Sequence, residues 1–397
     1  MNIFGLALKN IRGSSFRSTV IFLCVTLVAG FFLSTTLVIK GAERSLKAGI
    51  ERMGADIVVV PEGAETKVET ALLMGKPTNV WMPEDTLGRI ARVPGVAAAS
   101  PQIYLKSLYG ASCCAVSEMF MVVFDPASDF TITPWLQTNL GRSLKKGEVI
   151  GGSYIFVTPG EKYIRLYGYD LTLRGNLEPT GTGLDQTMFM AIDTAQDMAR
   201  SSLTSAESPL EIPPGGISSV MVKVQLGADR HRVALQTLLD VPAVFPIESP
   251  NLFGAFRQQM TGLLWGFVLV MAVIWGLSAI LIGLVFSMAA NERRREIAVL
   301  RALGATRQFV FGSILSEAGL LALGAGMLGI TLASFFVYLF QGELTRSLGM
   351  PFLFPDVLSF ILLFGGGVAF AILTVTLAAF LPALRISRAE PAVAMRE

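Results

Sequence analysis

The sequence of 397 residues is 52% hydrophobic and 16% charged, and its mean hydropathy is +0.58. It is too apolar on average for a soluble protein and too charged for a chain made only of membrane spans, so we expect a protein that is partly in a bilayer and partly in water. The net charge of +2 includes no long basic tract, so nucleic acid is not an expected partner. Three cysteines and one histidine provide no spaced disulfide framework and no zinc-type site.

The N-terminal part combines an amphipathic start with an apolar segment. Residues 1–17 mix apolar with polar and basic side chains, as a cytoplasmic helix on the inner membrane surface does. No charged residue occurs from Ser18 to Ile39, which is long enough for a span of roughly 20 residues. A secretory signal would have a shorter apolar region and a small-residue cleavage site. Because charged residues follow directly, we interpret residues 18–40 as an uncleaved first transmembrane helix.

Residues 41–259 are typical of a water-exposed domain. Short apolar or β-branched runs alternate with turn residues, and three stretches have helical spacing. The predicted strands are Ile57–Val60, Ile103–Tyr109, Met119–Phe124, Tyr163–Leu166, Leu171–Leu173, Thr187–Ala191 and Val220–Val224. The predicted helical segments are Leu87–Val93, Asp193–Arg200 and Arg230–Leu239. This pattern predicts an α+β domain that is large enough for its own core.

Three further apolar segments follow this domain. They predict the second, third and fourth transmembrane helices, at residues 260–290, 308–340 and 357–384. Basic residues gather before the first span, at residues 291–307 and in the tail at residues 385–397, whereas the loop at residues 341–356 has only Arg346. Since Lys and Arg concentrate on the cytoplasmic side, both termini are expected there. The expected fold is four transmembrane α-helices, one plus three, with an extracytoplasmic α+β domain inserted between the first and the second.

Residues 291–307, called the central loop below, are dense in positive charge. The arginines are Arg293, Arg294, Arg295, Arg301 and Arg307. Only Glu292 and Glu296 offset them, which is typical of a cytoplasmic loop between spans. One interpretation is that the loop is solvated and serves only as a positive anchor.

The apolar residues of the central loop favour a second interpretation. Ile297, Leu300 and Leu303 recur at steps of three and four, which predicts a short helix. Gly304 is expected to end this helix, and Thr306 is expected to cap the next one. Because an apolar helical stripe needs a surface that covers it, we interpret the central loop as a docking helix for a cytoplasmic partner.

The sequence has no recognisable catalytic motif. A Walker A sequence is absent, so the chain does not hydrolyse nucleotide by that device. His231, the only histidine, lies between Arg230 and Arg232 on a predicted solvated helix face, which disfavours a catalytic triad. We therefore expect a non-catalytic chain.

Several motifs resemble those of FtsX/MacB-type ABC-transporter permeases. The run RRREIAVLRALGATRQFVFGSILSEAGLL from Arg293 and the ending LPALRISRAEPAVAMRE from Leu381 resemble the family's signature region and its basic terminus. The inserted domain is similar to the family's MacB-like periplasmic core domain. The motifs that carry this likeness are GADIVVVPEGA at Gly54, RIARVPGVAAASP at Arg89, LKKGEVIGGSY at Leu144 and PTGTGLDQTMFMAIDTAQ at Pro179.

This resemblance implies a multi-pass protein of the bacterial inner membrane that works with other chains. Its implied partners are a cytoplasmic ABC ATPase subunit, which binds ATP-Mg, a second permease of the same or a related kind, and an extracytoplasmic substrate-carrying protein. No cofactor is expected in this chain itself. The implied ATPase-coupling residues lie in the central loop: Glu292, Arg294, Glu296, Ile297, Leu300, Arg301, Leu303 and Gly304.

Glu317 is the one ionisable residue well inside a predicted span. A charge at that depth is costly, so it should pair, face the helix bundle or be protonated. A proton relay is disfavoured because no second intramembrane carboxylate accompanies it. We predict a structural partnership with another span.

Cys113 and Cys114 are adjacent, and Met119 and Met121 follow shortly after them. Soft sulfur ligands favour Cu(I), so these four residues are candidate metal ligands or a contact for a haem-carrying partner. The alternatives are a vicinal disulfide and two packed thiols. Neighbouring residues of a strand point to opposite faces, which disfavours shared ligation.

The leading hypothesis is a permease subunit that couples ATP hydrolysis by a separate ATPase to conformational change of the outer domain. The transported load would be an exported compound, an extracted lipid or lipoprotein, or a metal-related cargo. The alternative is an FtsX-like regulatory membrane protein that activates an extracytoplasmic hydrolase or sensor.

Overall fold

A computed structural model of the chain describes residues 3–106, 119–157, 159–302, 304–346 and 351–388. The chain divides into two compact units. The helical unit comprises residues 1–40, 260–341 and 354–397, and the sheet domain comprises residues 41–259 and 342–353.

The described residues form eleven α-helices and eleven strands. The helices are α1 (Ile3–Gly13), α2 (Ser15–Met53), α3 (Glu65–Met74), α4 (Asp85–Ile90), α5 (Thr133–Asn139), α6 (Ile192–Ser205), α7 (Arg230–Asp240), α8 (Gly254–Glu292), α9 (Arg294–Ala302), α10 (Arg307–Arg346) and α11 (Val357–Arg388). The strands are β1 (Ile57–Pro61), β2 (Met82–Pro83), β3 (Val96–Lys106), β4 (Phe120–Phe124), β5 (Glu148–Gly151), β6 (Ile164–Leu166), β7 (Tyr169–Asn176), β8 (Thr187–Ala191), β9 (Gly216–Ile217), β10 (Ser219–Val224) and β11 (Val244–Glu248).

Four of the described helices are long and apolar enough to cross a membrane, namely α2, α8, α10 and α11. One precedes the sheet domain and three follow it, so the expected architecture of one plus three spans with an inserted α+β domain is confirmed. The chain is a multi-pass membrane protein.

Within the helical unit, aromatic and hydroxyl side chains join the spans. The rings of Phe32 in α2 and Phe370 in α11 stack with centroids 4.4 Å apart. Trp275 of α8 donates from Nε1 to Oγ1 of Thr374 in α11 at 3.0 Å. Thr26 of α2 donates to the carbonyl oxygen of Ala325 in α10 at 3.3 Å. The hydrocarbon core of a bilayer contains no water to bond these polar groups, so hydrogen bonds between helices satisfy them instead.

The sheet domain is built on a nine-stranded mixed sheet. Its strand order is β11-β1-β10-β3-β4-β8-β5-β7-β6, and β2 and β9 form a separate two-stranded sheet. The pairs β4 with β8 and β5 with β7 are parallel, whereas the other pairs in the large sheet are antiparallel.

Apolar side chains cover both faces of this sheet, because successive strand residues point to opposite sides. On one face, Tyr104, Val122 and Phe124 pack with apolar residues of α3 and α5 and of the end of α2. On the other face, the strands pack with α6 in one cluster and with α4 and α7 in a second. The domain therefore has helices on both sides of a central sheet.

The predicted strands and helical segments of this domain have counterparts in the structure, with shifted ends. The strand expected at Ile103–Tyr109 begins earlier, at Val96, and residues 107–109 lie outside the described part of the chain. The strands β2, β5, β9 and β11 and the helices α3 and α5 were not predicted. The predicted span at residues 18–40 is part of α2, which continues to Met53.

Glu148, at the start of β5, is the most heavily bonded carboxylate of the sheet. It accepts hydrogen bonds from both Nη atoms of Arg142 at 2.7 and 3.0 Å and from Nε of Arg174 at 2.8 Å. The amide of Lys145 also donates to it, at 2.9 Å. The bonds from Arg142, with smaller contributions from Lys145 and Arg174, lower the pKa of Glu148 to about 2, although burial opposes this effect.

The lowered pKa of Glu148 predicts a specific loss of stability in acid. Its folded pKa lies below the ordinary value of 4.5, so its stabilising contribution is present above about pH 4.5 and is lost as the pH falls towards 2. Glu148→Gln should lower the free energy of unfolding at pH 7 by on the order of 2 kcal/mol and flatten the stability profile between pH 5 and about 2. Thermal unfolding of the full chain at several pH values checks this, and an unchanged acid profile would contradict it.

Candidate functional site

The central loop forms a short helix between two turns. α8 ends at Glu292, Arg293 forms the first turn, and α9 follows from Arg294 to Ala302. The amide of Arg293 still donates to Ala289, and its carbonyl oxygen accepts from Ile297. Helical hydrogen bonding thus continues on both sides of the turn.

Gly304 ends α9 in the way that the sequence predicts. It has a φ of +96°, a left-handed conformation that strongly favours glycine. Its amide donates to the carbonyl oxygen of Arg301 at 3.1 Å, and the amide of Ala305 donates to that of Leu300 at 3.0 Å. These two bonds form a Schellman motif. Thr306 then caps α10, since its Oγ1 accepts from the amide of Phe309 at 3.2 Å.

Arg293 connects the first turn to α10. Its Nη1 donates to Oε2 of Glu317 at 3.3 Å. Only 21% of the Arg293 side chain and 12% of the Glu317 side chain are exposed. Because both side chains are largely buried, salt screens this ion pair less than it screens a surface pair. The contact therefore links the turn to α10.

Asn10 and Ser14 join Arg293 and Glu317 in a cluster of four residues. We call these four residues the Arg293 cluster. Asn10 of α1 donates from Nδ2 to the same Oε2 of Glu317 at 3.3 Å. Arg293 donates from Nη2 to the carbonyl oxygen of Asn10 at 3.3 Å and to Oγ of Ser14 at 3.4 Å. Ser14 lies in the turn between α1 and α2. The cluster therefore joins the N-terminal helix, the central loop and α10.

A cavity of about 130 Å³ lies beside the Arg293 cluster. Ile297 and Leu300 of α9 line it, facing apolar residues of the adjoining helices. Those residues are Phe286 and Ala289 of α8 and Phe309, Val310 and Ile314 of α10. Ile297 and Leu300 thus face their own helical unit, although they were predicted to face a partner protein.

The outward part of α9 carries different residues. Val299 is 50% exposed. Glu296 is also exposed, although it lines the cavity. Glu292, at the end of α8, is 66% exposed and pairs with Arg17 at 3.4 Å.

The remaining predicted coupling residues are Arg294, Arg301 and Leu303. Arg294 and Arg301 are half-buried on α9, whereas Leu303 lies outside the described residues. The structure brings Ile297 and Leu300 together with Glu317 around one cavity, an association that the sequence analysis did not predict.

Glu317 has its partners on other elements than expected. The expected partner was another span, but the structure places Arg293 of the turn and Asn10 of α1 against Glu317. The sequence signal for Arg293 is only that the central loop next to α10 is rich in arginine. No comparable signal identifies Asn10, which is distant in sequence.

Of the four candidate metal ligands, the structure describes only the two methionines. Met119 and Met121 are 1% and 0% exposed, and both pack in the apolar cluster under α6. Cys113 and Cys114 lie outside the described residues. In the part of the chain that the structure describes, no group of three or more His, Cys, Asp or Glu side chains is arranged to hold a metal ion.

His231 is an exposed ion-pair residue on α7. Its Nδ1 lies 2.8 Å from Oε1 of Glu248, and the side chain is 69% exposed. The hydrogen bond to Glu248 raises the pKa of His231. In the described residues around it, no nucleophile is bonded to the ring.

Comparison with known proteins assigns the C-terminal part of the chain. Residues 268–391 match the model of the FtsX-like permease C-terminal family, a range that includes α9, α10 and α11. Two related chains of Mycobacterium tuberculosis, the uncharacterized ABC transporter permeases Rv0072 of strain H37Rv and MT0078 of strain CDC 1551, are each 22% identical over 349 residues. That alignment covers 84% of this chain and 86% of each relative.

Two solved structures align with part of the chain at 10% identity. The periplasmic region of MacB from Actinobacillus actinomycetemcomitans has a TM-score of 0.33, and the alignment covers 52% of this chain and 95% of that chain. The extracellular domain of the noncanonic ABC-type transporter YknZ from Gram-positive bacteria has a TM-score of 0.28, with 49% and 99% covered.

The Arg293 cluster predicts non-additive effects of substitution. Arg293→Met leaves a half-buried carboxylate without its cation, so it should destabilise the protein by about 1–3 kcal/mol. Adding Glu317→Leu removes that carboxylate, so the double variant should be more stable than the sum of the single changes predicts. Thermal unfolding of the purified full chain in detergent measures this difference.

The pair of Arg17 and Glu292 is the matched control, because its arginine is as buried as Arg293 but its carboxylate is 66% exposed. Because Glu292 is largely solvated, Arg17→Met and Glu292→Leu should combine additively within about 0.5 kcal/mol. Additive behaviour of Arg293→Met and Glu317→Leu would contradict a coupled cluster.

Proposed function

We propose that this chain, whose residues 268–391 match the FtsX-like permease C-terminal family, is the membrane subunit of an ABC transporter and is driven by a separate cytoplasmic ATPase. The family match includes α9 and the spans that follow it. The observation that carries the proposal is the two-sided α9. The Arg293 cluster and the cavity hold one side, and the other side exposes Val299.

The distribution of charge supports the orientation of the chain. The central loop contains five arginines, and further basic residues precede the first span. Under the positive-inside rule both termini and the central loop are cytoplasmic, and the sheet domain is extracytoplasmic. We place the protein in the bacterial inner membrane.

In this proposal the ATPase docks on the outward face of α9 and holds ATP-Mg itself. Movement of α9 would displace Arg293, which is bonded to Glu317 in α10 and to Asn10 in α1. A half-buried ion pair resists separation, so α10 and α1 would follow the movement. The helical unit would in this way convert ATP-driven closure of the ATPase into a conformational change of the extracytoplasmic domain, without catalysis by this chain.

A second permease chain is the other proposed partner in the membrane. Only 6% of the apolar window of α8 is buried within the chain, compared with 22% to 44% in the other three spans. Gly262 and Gly266 of α8 have no neighbouring atoms within 4 Å of an added Cβ, so this helix is open to close approach by another helix. We assign α8 to the contact with the second permease, of the same or a related sequence.

The proposal is tested by purifying the tagged full chain from its own host membranes. We expect an ATP-hydrolysing subunit to copurify, and Val299→Asp to reduce its yield about tenfold or more, because the substitution places a carboxylate in an apolar contact. Val299 is half-exposed, so the variant itself should insert and fold normally.

Leu226→Asp is the matched control, because Leu226 is a fully exposed apolar residue of the sheet domain. This variant should retain the ATPase. Absence of any ATPase with the unsubstituted chain, together with a stable complex with a hydrolase or sensor, would contradict the transporter proposal and favour a regulatory protein. Normal recovery of the ATPase with Val299→Asp would contradict the assigned docking face.

A further inference from the structure

Phe352 lies in the loop between α10 and α11 and is built into the sheet domain. Residues 342–353 belong to the same compact unit as residues 41–259. Phe352 is only 5% exposed, although it belongs to a loop between two spans. Burial of a large apolar side chain is strongly favourable, so this loop segment is firmly attached to the domain.

Two backbone hydrogen bonds, from the amides of consecutive residues, attach the loop to two different segments of the sheet domain. The amide of Phe352 donates to the carbonyl oxygen of Gly181 at 3.1 Å, and the amide of Leu353 donates to that of Gly41 at 3.1 Å. Gly41 lies in α2, and Gly181 lies in the turn before the 3-10 helix at Gly183–Gln186. We call these three residues, Gly41, Gly181 and Phe352, the Phe352 clasp.

The two glycines leave the space that Phe352 fills. A Cβ added at Gly41 would overlap the ring of Phe352, and a Cβ added at Gly181 would overlap its carbonyl group. Gly181 also has a φ of +72°, which disfavours other residues. The clasp therefore requires glycine at both positions.

Asp185 makes the Gly181 side of the clasp rigid. Its carboxylate accepts from the amides of Thr180 and Gly181 at 2.8 and 2.7 Å and from the hydroxyl of Thr180 at 2.9 Å. The Asp185 side chain is buried. A carboxylate with three short hydrogen bonds holds the turn in one conformation, so the turn is a fixed seat for the loop.

We infer that the Phe352 clasp is the joint through which α10 and α11 act on the sheet domain. The described end of this loop, from Pro351, leads directly into α11. The inference rests on the proposed function, since that function requires the spans to move the domain. All three clasp residues belong to the sheet domain, so the clasp anchors the loop between α10 and α11 within that domain.

Hydrogen exchange of the full chain in detergent tests the clasp without any partner. The amides of Phe352 and Leu353 should be protected in the unsubstituted protein, and Phe352→Ala should speed their exchange about tenfold or more. Gly41→Ala should do the same by expelling the ring, although alanine favours a helix more than glycine does. Gly342→Ala is the matched control, because a Cβ at this helical glycine meets no atom within 4 Å.

A compensating pair of substitutions separates the clasp from general damage. Gly41→Ala with Phe352→Leu should regain most of the protection, because a smaller side chain makes room for the added methyl group. Unchanged exchange in both Phe352→Ala and Gly41→Ala would overturn the clasp.

The joint itself is tested in the complex with the copurified ATPase. ATP should change the exchange of sheet-domain amides in the unsubstituted complex, and Phe352→Ala should reduce that change at least about threefold while the ATPase stays bound. A full response to ATP in Phe352→Ala would overturn the inference. Failure of any ATPase to copurify would instead count against the proposed function, and the exchange measurements on the free chain would still decide whether the clasp forms.

Discussion

The Arg293 guanidinium and the Glu317 carboxylate form a half-buried ion pair on which the geometry of the central loop depends. A charge on a spanning helix is costly without a partner, and Glu317 finds two donors, Arg293 and Asn10. The same pair fixes the turn between α8 and α9, because Arg293 is the turn residue. Removing water from a charged pair costs free energy, and this cost is offset only when further hydrogen bonds accompany the pair; Asn10 and Ser14 provide them.

The orientation of α9 follows from this constraint. With Arg293 fixed, Ile297 and Leu300 lie on the same side of the helix and line the cavity, and Val299 is left exposed. The helix is short and would be marginal alone, so its stability comes from these contacts and from the Schellman motif at Gly304. One side of this short helix packs on the helical unit and the other side is exposed. Such a helix is suited to transmit the movement of a protein that binds to its exposed side.

Much of this arrangement was predictable from the sequence because it depends on local chemistry. Charge-free segments identified the spans, and the glycine and threonine at positions 304 and 306 marked the end of α9 and the cap of α10. The partner of the apolar stripe was not predictable in the same way. Periodicity shows that Ile297 and Leu300 share a face, but it does not show whether that face meets the same chain or another one.

Contacts between distant residues were the other unpredictable part. Asn10 meets Glu317 only because α1 and α10 come together in three dimensions. In the sheet domain, β5 starts with Glu148, which alone would argue against a buried strand, and its arginine partners make that burial possible. Pro101 lies in β3 opposite Val220 of β10, at a position where β3 is not yet paired with β4, so proline is tolerated there as it is at a sheet edge. Phe352 looked like an ordinary loop residue because the glycines around it are far away in sequence.

The most direct test of this account is site-specific photo-crosslinking along α9 in native membranes. A photoreactive residue at position 299 should crosslink to the ATPase, whereas one at position 297 should crosslink only within the permease, because Ile297 lines the internal cavity. Crosslinks to the ATPase from position 297 and none from position 299 would contradict the two-sided α9.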